Sequence, residues 1–389
     1  MLDHARPVKW ADPPEQKGEE KYDLVVIGAG AGGLVTAIGS QMLGAKCCLI
    51  ERGYFGGDCL VTGCVPSKAF IRAASVAHTL KNSEQFGISI KGEVDIDFGR
   101  VMTKMREIRA EISEADSPKK FAEKYGVDIF LGNGQFVDPH TIQVNGRKLK
   151  FNKACIATGG KPLIPEIKGR DEVKFYSSDN IFNLTRQPKE MLIIGSGPIG
   201  CELGQSFQRL GTNVTMFSRG NTLLPQEDPE SVKLLQAQME EDGVHFMFET
   251  HALELKNLGR AAEGGEDDPD QVKVTFKRRG EVEEKVFDLI MLATGRSPNV
   301  QGLNCEGGGV KYSSTHGIEV DKHLRTSNSN VFAVGDCIPG LKFTHNSDMQ
   351  ARCVMRNALF FGKMEYMKQL VPYCTYTEPE IARVGMTEQ

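Results

Sequence analysis

Two short glycine-rich turns, each set between an apolar strand and a helix, constrain this chain more than any other feature. Asp23–Gly28 (DLVVIG) reads as a buried parallel strand, G-A-G-A-G-G follows at 28–33, and Leu34–Leu43 is a helical run. A second strand, Lys46–Ile50, ends on Glu51. Glycines at 28, 30 and 33 let the backbone approach a pyrophosphate, which the unpaired N–H groups of the helix start can receive. Glu51, about 20 residues on, is placed to accept from ribose hydroxyls. A glycine-rich turn by itself is weak, and a nucleotide-free α/β turn is the plain alternative. The full order of strand, turn, helix, strand and acid favours a dinucleotide.

The pattern then repeats. Met191–Ile194 is a short apolar strand, followed by Gly195-Ser-Gly197-Pro-Ile-Gly200, the helix Cys201–Leu210 and the strand Asn213–Phe217. That strand ends in Ser218-Arg219 instead of an acid. An acid there selects a free 2′-hydroxyl, whereas an arginine accommodates a 2′-phosphate. The first site therefore fits FAD or NAD, and the second prefers NADPH over NADH. The alternative for Arg219 is a solvated surface arginine.

Between the two turns lies GGDCLVTGCVPSK, residues 56–68, with Cys59 and Cys64 five positions apart. A bridge between them would close a very small ring, which constrains the unfolded chain little. Such a ring is better suited to opening and closing than to stapling. Pro66 suits a first helical turn, so Cys64 is expected at a helix N-terminus, where the dipole favours a thiolate. Lys68, four residues later on the same face, adds positive charge. Buried free thiols are the ordinary alternative. Zinc would need four ligands at paired short spacings, and the other cysteines are scattered, so no metal site is expected.

The 389 residues suffice for two or three domains. A net charge of −4 gives no reason to expect nucleic acid or an anionic membrane, and no apolar run reaches about 18 residues. Ten cysteines, unpaired by spacing apart from one couple, fit a reducing compartment. A cytoplasmic location is expected, with an organelle left open. Residues 1–22 are polar and read as a flexible tail. Val101–Tyr125 has helical periodicity that Pro118 would kink or break. Val127–Gly146 reads as short strands, Ala154–Gly160 as an apolar strand, and Lys161–Asn180 as a linker. Arg260–Asp270 reads as a solvated acidic loop, Val331–Asp336 as a strand that ends on an aspartate, and Ser347–Phe361 as a helix. The expected organisation is α/β: one nucleotide domain interrupted by another.

GGDCLVTGCVPSK, GAGAGG, the ATG at 157–159 and again at 293–295, GSGPIGCELG and VFAVGD together resemble the FAD-dependent pyridine nucleotide–disulfide oxidoreductases, from about Tyr22 onward. The GGDCL variant, Ser218-Arg219 and FTHNSDMQAR are most similar to the mercuric-reductase-like branch. The resemblance implies two Rossmann-like (three-layer ββα) domains. FAD would be bound by 23–177 with 296–370, and NAD(P)H by 178–295 inserted between them. Residues 371–389 would open an α+β interface domain. It implies Cys59 as the exposed interchange thiol and Cys64 as the thiolate facing the flavin. Lys68 would lie near flavin N5 with Glu202 as its ion-pair partner. The FAD side would comprise Gly28, Gly30, Ala31, Gly32, Gly33, Glu51, Arg52, Gly57, Asp58, Lys68, Gly134, Thr158, Gly159, Asp336, Lys342, Phe343, Thr344 and His345. The nicotinamide side would comprise Gly195, Gly197, Pro198, Ile199, Gly200, Ser218, Arg219, Ala252 and Gly295. Electrons would pass from NADPH through FAD to the cysteine pair and on to a small thiol, disulfide or metal-ion acceptor.

One departure from the resemblance stands out. The family's thiol exchange uses a histidine–glutamate pair from the C-terminal domain of a partner subunit, and none of the histidines at 4, 78, 140, 245, 251, 316 and 323 lies in a matching segment. Tyr373–Glu388 looks like the opening strand of that domain, and no C-terminal cysteine pair or N-terminal C-x-x-C is present. The expectation is a fragment or truncated product with impaired homodimerisation and weak disulfide turnover. Two alternatives are a dihydrolipoamide dehydrogenase-like NADH enzyme and a flavin-binding remnant without turnover.

Overall fold

A computed structural model describes residues 2–15, 20–260, 270–360, 362–366 and 370–386. It resolves into two compact units. The first is Met1–Cys64, Ile108–Lys161 and Arg296–Val371; the second is Val65–Glu107, Pro162–Gly295 and Pro372–Gln389.

In the first unit the strand Lys21–Ile27 lies between Cys47–Glu51 and Arg147–Ile156, parallel to both, with Val25 opposite Cys48 on one side and Ala154 on the other. Asp128–Leu131 extends the parallel sheet beyond Cys47–Glu51, and Val331–Ala333 pairs with the end of Arg147–Ile156. Leu24, Val25, Val26 and Ile27 are all buried, so both faces of this strand are covered, as a parallel sheet requires. Arg147–Ile156 changes character along its length. Leu149 and Phe151 are buried between exposed lysines and Asn152, and then Ala154, Cys155 and Ile156 are buried in succession. The alternating half pairs antiparallel with Thr141–Val144, which pairs with Gln135–Asp138. The continuous half enters the parallel sheet. The helix Ala31–Met42 is crossed by Thr344–Leu359, and a Cβ on Gly39 would come within 2.2 Å of Met355 Sδ.

The second unit holds a five-stranded parallel sheet in the order His245–Met247, Asn213–Phe217, Glu190–Ile194, Leu289–Leu292 and Phe175–Tyr176. A three-stranded antiparallel sheet, Thr250–Arg260, Asp270–Arg278 and Glu281–Phe287, accompanies it. Side-chain alternation builds three layers from these parts. Met191, Ile193, Leu289 and Met291 join the core under the helices, whereas Leu192, Ile194, Ile290 and Leu292 join the core that holds Val274, Phe276 and Phe287. This is the α/β Rossmann-like, three-layer arrangement expected from the sequence.

Several expectations need correcting. Residues 2–15 are docked, not a free tail. Ala5 is fully buried and its carbonyl accepts from Phe55 N, the Arg6 guanidinium donates to the carbonyls of Arg52 and Gly53, and Trp10 Nε1 donates to Ile129 O at 3.1 Å. The helical run is interrupted at Pro118, as expected, giving Phe98–Ser113 and Pro118–Tyr125. Pro118 sits in the first turn of the second piece, where its missing N–H costs nothing, and Ser117 Oγ caps that turn. The linker 161–180 contains the edge strand Phe175–Tyr176. The single C-terminal strand is a hairpin, Tyr373–Thr375 against Ile381–Arg383. Val65–Glu107 and 162–177, expected with the first nucleotide domain, group with the second unit. Phe70 and Phe98 pack there against Phe207, with the Phe70 and Phe207 ring centroids 4.8 Å apart. Most of the acidic loop expected at Arg260–Asp270 (261–269) lies outside the described residues.

Candidate functional site

The first glycine turn is built as its spacing requires. Gly28 has φ of 105°, and a Cβ there would lie 2.3 Å from Ala157 O; one on Gly33 would lie 1.8 Å from Gly28 O. Gly30 is the N-cap of Ala31–Met42, and a Cβ on it would meet only Gly57 Cα, at 3.9 Å. The space before Gly30 is therefore an open cradle at a helix start, which suits a phosphate. Glu51 closes one side. Its Oε2 accepts from Ala29 N at 2.6 Å and its Oε1 from Gly53 N. Burial pushes the Glu51 carboxyl above its ordinary range, against the opposing pull of those two N–H groups. Gly134 packs on the same strands, where an added Cβ would come within 3.1 Å of Ile50.

The cysteine segment leans on this cradle. Gly56 N donates to Ala29 O at 2.9 Å, and a Cβ on Gly57 would lie 2.7 Å from Gly30 Cα. Cys59 lies in the short helix Gly57–Val61, and Cys64 is the first residue of the helix Cys64–Lys81, as Pro66 predicts. Both cysteines are free thiols with hydrogen-bonded side chains, and Cys64 Sγ lies 3.4 Å from Thr344 Oγ1. The Cys59 thiol is pushed well up, first by its hydrogen bond to Cys64 and then by burial. Cys64 is exposed and Cys59 half-buried.

Asp336 lies in the 3₁₀ turn Gly335–Cys337. Lys342 Nζ donates to Asp336 O at 2.9 Å and to Ile338 O, and burial holds its ammonium below the usual lysine range. Phe343 and His345 stack with centroids 5.6 Å apart, flanking Thr344. Thr158 Oγ1 donates to Asn299 O at 2.6 Å, and Gly159 follows with φ of 68°. Arg52 is exposed, with its carbonyl taken by Arg6.

In the second unit the geometry recurs. Gly197 is the N-cap of Pro198–Arg209 with Pro198 and Ile199 in its first turn, and a Cβ on Gly197 would meet nothing within 4 Å. A Cβ on Gly200 would lie 2.4 Å from Gly195 O. Ser218 is buried with its Oγ 2.9 Å from Ser196 Oγ, whereas Arg219 is exposed and has no hydrogen-bond or ion-pair partner among the described residues. Gly295 O accepts from Leu163 N at 2.9 Å. Ala252 lies opposite Phe276 in the antiparallel sheet and packs on its core. Lys68 Nζ lies 3.2 Å from Glu202 Oε2, pairing the two residues as the resemblance implied.

Two site features escaped sequence reading. Arg296 bridges Asp58, beside Cys59, and Asp336, at 3.1 Å from the latter's Oδ2. Tyr376 sits on the Lys68–Glu202 pair: its ring centroid is 4.0 Å from Lys68 Nζ and its N–H donates to Glu202 Oε1 at 2.9 Å. Neither had a periodic or motif signal in the chain. Among the described residues no cluster of three or more His, Cys, Asp or Glu could hold a metal ion, and no helix is long and apolar enough to cross a membrane.

The family described as pyridine nucleotide-disulphide oxidoreductase matches residues 22–351. A mercuric reductase of Bacillus cereus is 32% identical over 373 residues, covering 96% of this chain and 57% of its own length. A dihydrolipoyl dehydrogenase of Geobacillus stearothermophilus is 33% identical over 372 residues, 94% of this chain and 76% of its own. Among solved structures, the Cu(II) complex of the HOCl-induced flavoprotein disulfide reductase RclA from Escherichia coli aligns with a TM-score of 0.82 at 26% identity, over 95% of this chain and 78% of that one. The chain thus spans little more than half the length of the Bacillus cereus relative. The match over 22–351, which spans both cradles and the thiol pair, places this chain in the pyridine nucleotide-disulphide oxidoreductase family.

Proposed function

We propose that the chain takes electrons from NADPH and delivers them through the Cys59–Cys64 pair to a small disulfide or soft metal-ion acceptor. The family binds FAD and a pyridine nucleotide, and the residues here fit both. The open space before Gly30 and before Gly197 gives each dinucleotide a helix start, and Glu51 offers carboxylate oxygens to a ribose. We assign FAD to the first unit and the nicotinamide cofactor to the second. Bound FAD supplies the two-electron carrier between nicotinamide and sulfur.

The chain's own groups do the rest. Cys59 Sγ and Cys64 Sγ share a hydrogen bond, and the Thr344 hydroxyl steadies the sulfur at the helix start. Reducing a disulfide acceptor forms one S–S bond between Cys59 and Cys64 and breaks the acceptor's S–S bond. Two electrons and two protons leave as two acceptor thiols. NADPH and one proton then restore the dithiol. The observation that carries this reading is the hydrogen-bonded pair standing against the first cradle in one compact unit.

Anaerobic titration with NADPH tests it. The flavin should bleach and a long-wavelength band should appear; Cys64→Ser should abolish that band and Cys59→Ser should leave it. A colourless protein that takes up no flavin would refute the assignment. Arg219 supports NADPH over NADH because it is an exposed, unpaired cation at the end of Asn213–Phe217. Arg219→Ala should weaken NADPH binding by roughly ten- to a hundredfold, the worth of charge-assisted contacts to a phosphate, and leave NADH within about twofold. Equal losses for both cofactors, read by fluorescence titration, would remove that preference.

A further inference from the structure

The C-terminal hairpin belongs to the second unit, and its connection is laid along one face of the helix Pro198–Arg209. Glu202, Gln205 and Arg209 recur on that face at helical spacing, and each meets a successive part of the connection. Glu202 Oε1 accepts from Tyr376 N at 2.9 Å. Gln205 grips the backbone of Glu378 from both sides, with Nε2 donating to its carbonyl at 2.7 Å and Oε1 accepting from its N–H at 2.9 Å. Arg209 pairs with the Glu378 carboxylate and, at 2.8 Å, with Asp242, which also holds His78 Nδ1 at 3.2 Å. This ladder fixes the chain at 376–378 in register with Glu202.

Glu202 divides its two oxygens. Oε2 faces Lys68 Nζ at 3.2 Å, and Oε1 is taken by Tyr376 N–H. The Tyr376 ring then covers the ammonium from the other side, 4.0 Å away. Tyr376 is 41% exposed, so core packing does not account for an aromatic side chain at this position. We propose that Tyr376 is a positioning residue for the Lys68–Glu202 pair, held in place by the Gln205–Arg209 ladder. Its backbone orients the carboxylate, and its ring confines the ammonium through cation–π attraction. Only the functional consequence rests on the proposed flavin relay; the confinement of Lys68 stands apart from it.

The test uses the full chain with FAD added, in the native, Tyr376→Phe and Tyr376→Leu forms. Brief acylation with acetic anhydride, followed by peptide mass spectrometry, measures Lys68 modification relative to exposed Lys233. Tyr376→Leu should raise the relative Lys68 rate about two- to fivefold, matching the loss of a partly exposed cation–π contact. Tyr376→Phe, which keeps both ring and N–H, should match the native protein. An unchanged Lys68 rate in the leucine variant, or the same rise in the phenylalanine variant, would overturn the proposal. NADPH-driven flavin bleaching is read in parallel and should slow in the leucine variant and recover in the phenylalanine one. A labelling shift without any change in bleaching would sustain the positioning and refute the pair's part in the relay.

Discussion

At Glu51, burial and hydrogen bonding pull in opposite directions, and burial wins. Because its carboxyl is raised in the folded chain, the stability it contributes is complete below the unfolded value of about 4.3 and fades as pH rises through the folded value. Glu51→Gln cannot ionise, so its melting temperature should fall less than that of the native protein as pH rises above about 4. Parallel curves for the two proteins would contradict this. Which residues sit in the site was partly legible in the chain: Glu51 and Arg219 stand at fixed offsets from glycines. Arg296 was not legible, because its partner Asp58 lies 238 positions away and an ion pair leaves no periodic trace.

Among elements, the best-read ones are those with both local signal and a continuous buried run, such as Lys21–Ile27 and Asn213–Phe217. Arg147–Ile156 was read only from Ala154, because its first half alternates with lysines and its continuous apolar run starts late. The N-terminal segment was misread because its polar composition hides three anchoring contacts made by Ala5, Arg6 and Trp10. The Ala5 and Arg6 contacts brace residues 52–55, which lead into the cysteine segment, and Trp10 anchors the N-terminal segment to the strand Asp128–Leu131. Trp10→Ala should therefore lower stability by about 1–2 kcal/mol, through lost apolar burial and one hydrogen bond. Denaturant unfolding followed by circular dichroism checks this; a midpoint unchanged from the native protein would mean the segment is not docked. Since Trp10 is the one tryptophan, native fluorescence reports its environment directly.

For the whole molecule, two cradles imply two separable ligand sites. An alanine Cβ at Gly33 would lie 1.8 Å from Gly28 O, and one at Gly200 would lie 2.4 Å from Gly195 O, so each must push a helix from its strand. Each substitution should cost roughly 1–3 kcal/mol or more. Gly33→Ala should lose flavin while retaining NADPH binding, and Gly200→Ala should do the reverse; loss of the same ligand from both would refute the division. The chain by itself determined the two strand–turn–helix cradles and the cysteine pair, because glycine, proline and capping chemistry act over a few neighbouring residues. Only the tertiary structure decided that Val65–Glu107 and the C-terminal hairpin group with the second unit. It alone matched Arg296 to Asp58 and Asp336, and Tyr376 to Lys68 and Glu202. Those choices depend on which buried faces and charges find one another across long stretches of chain, and such complementarity is a property of the packed fold.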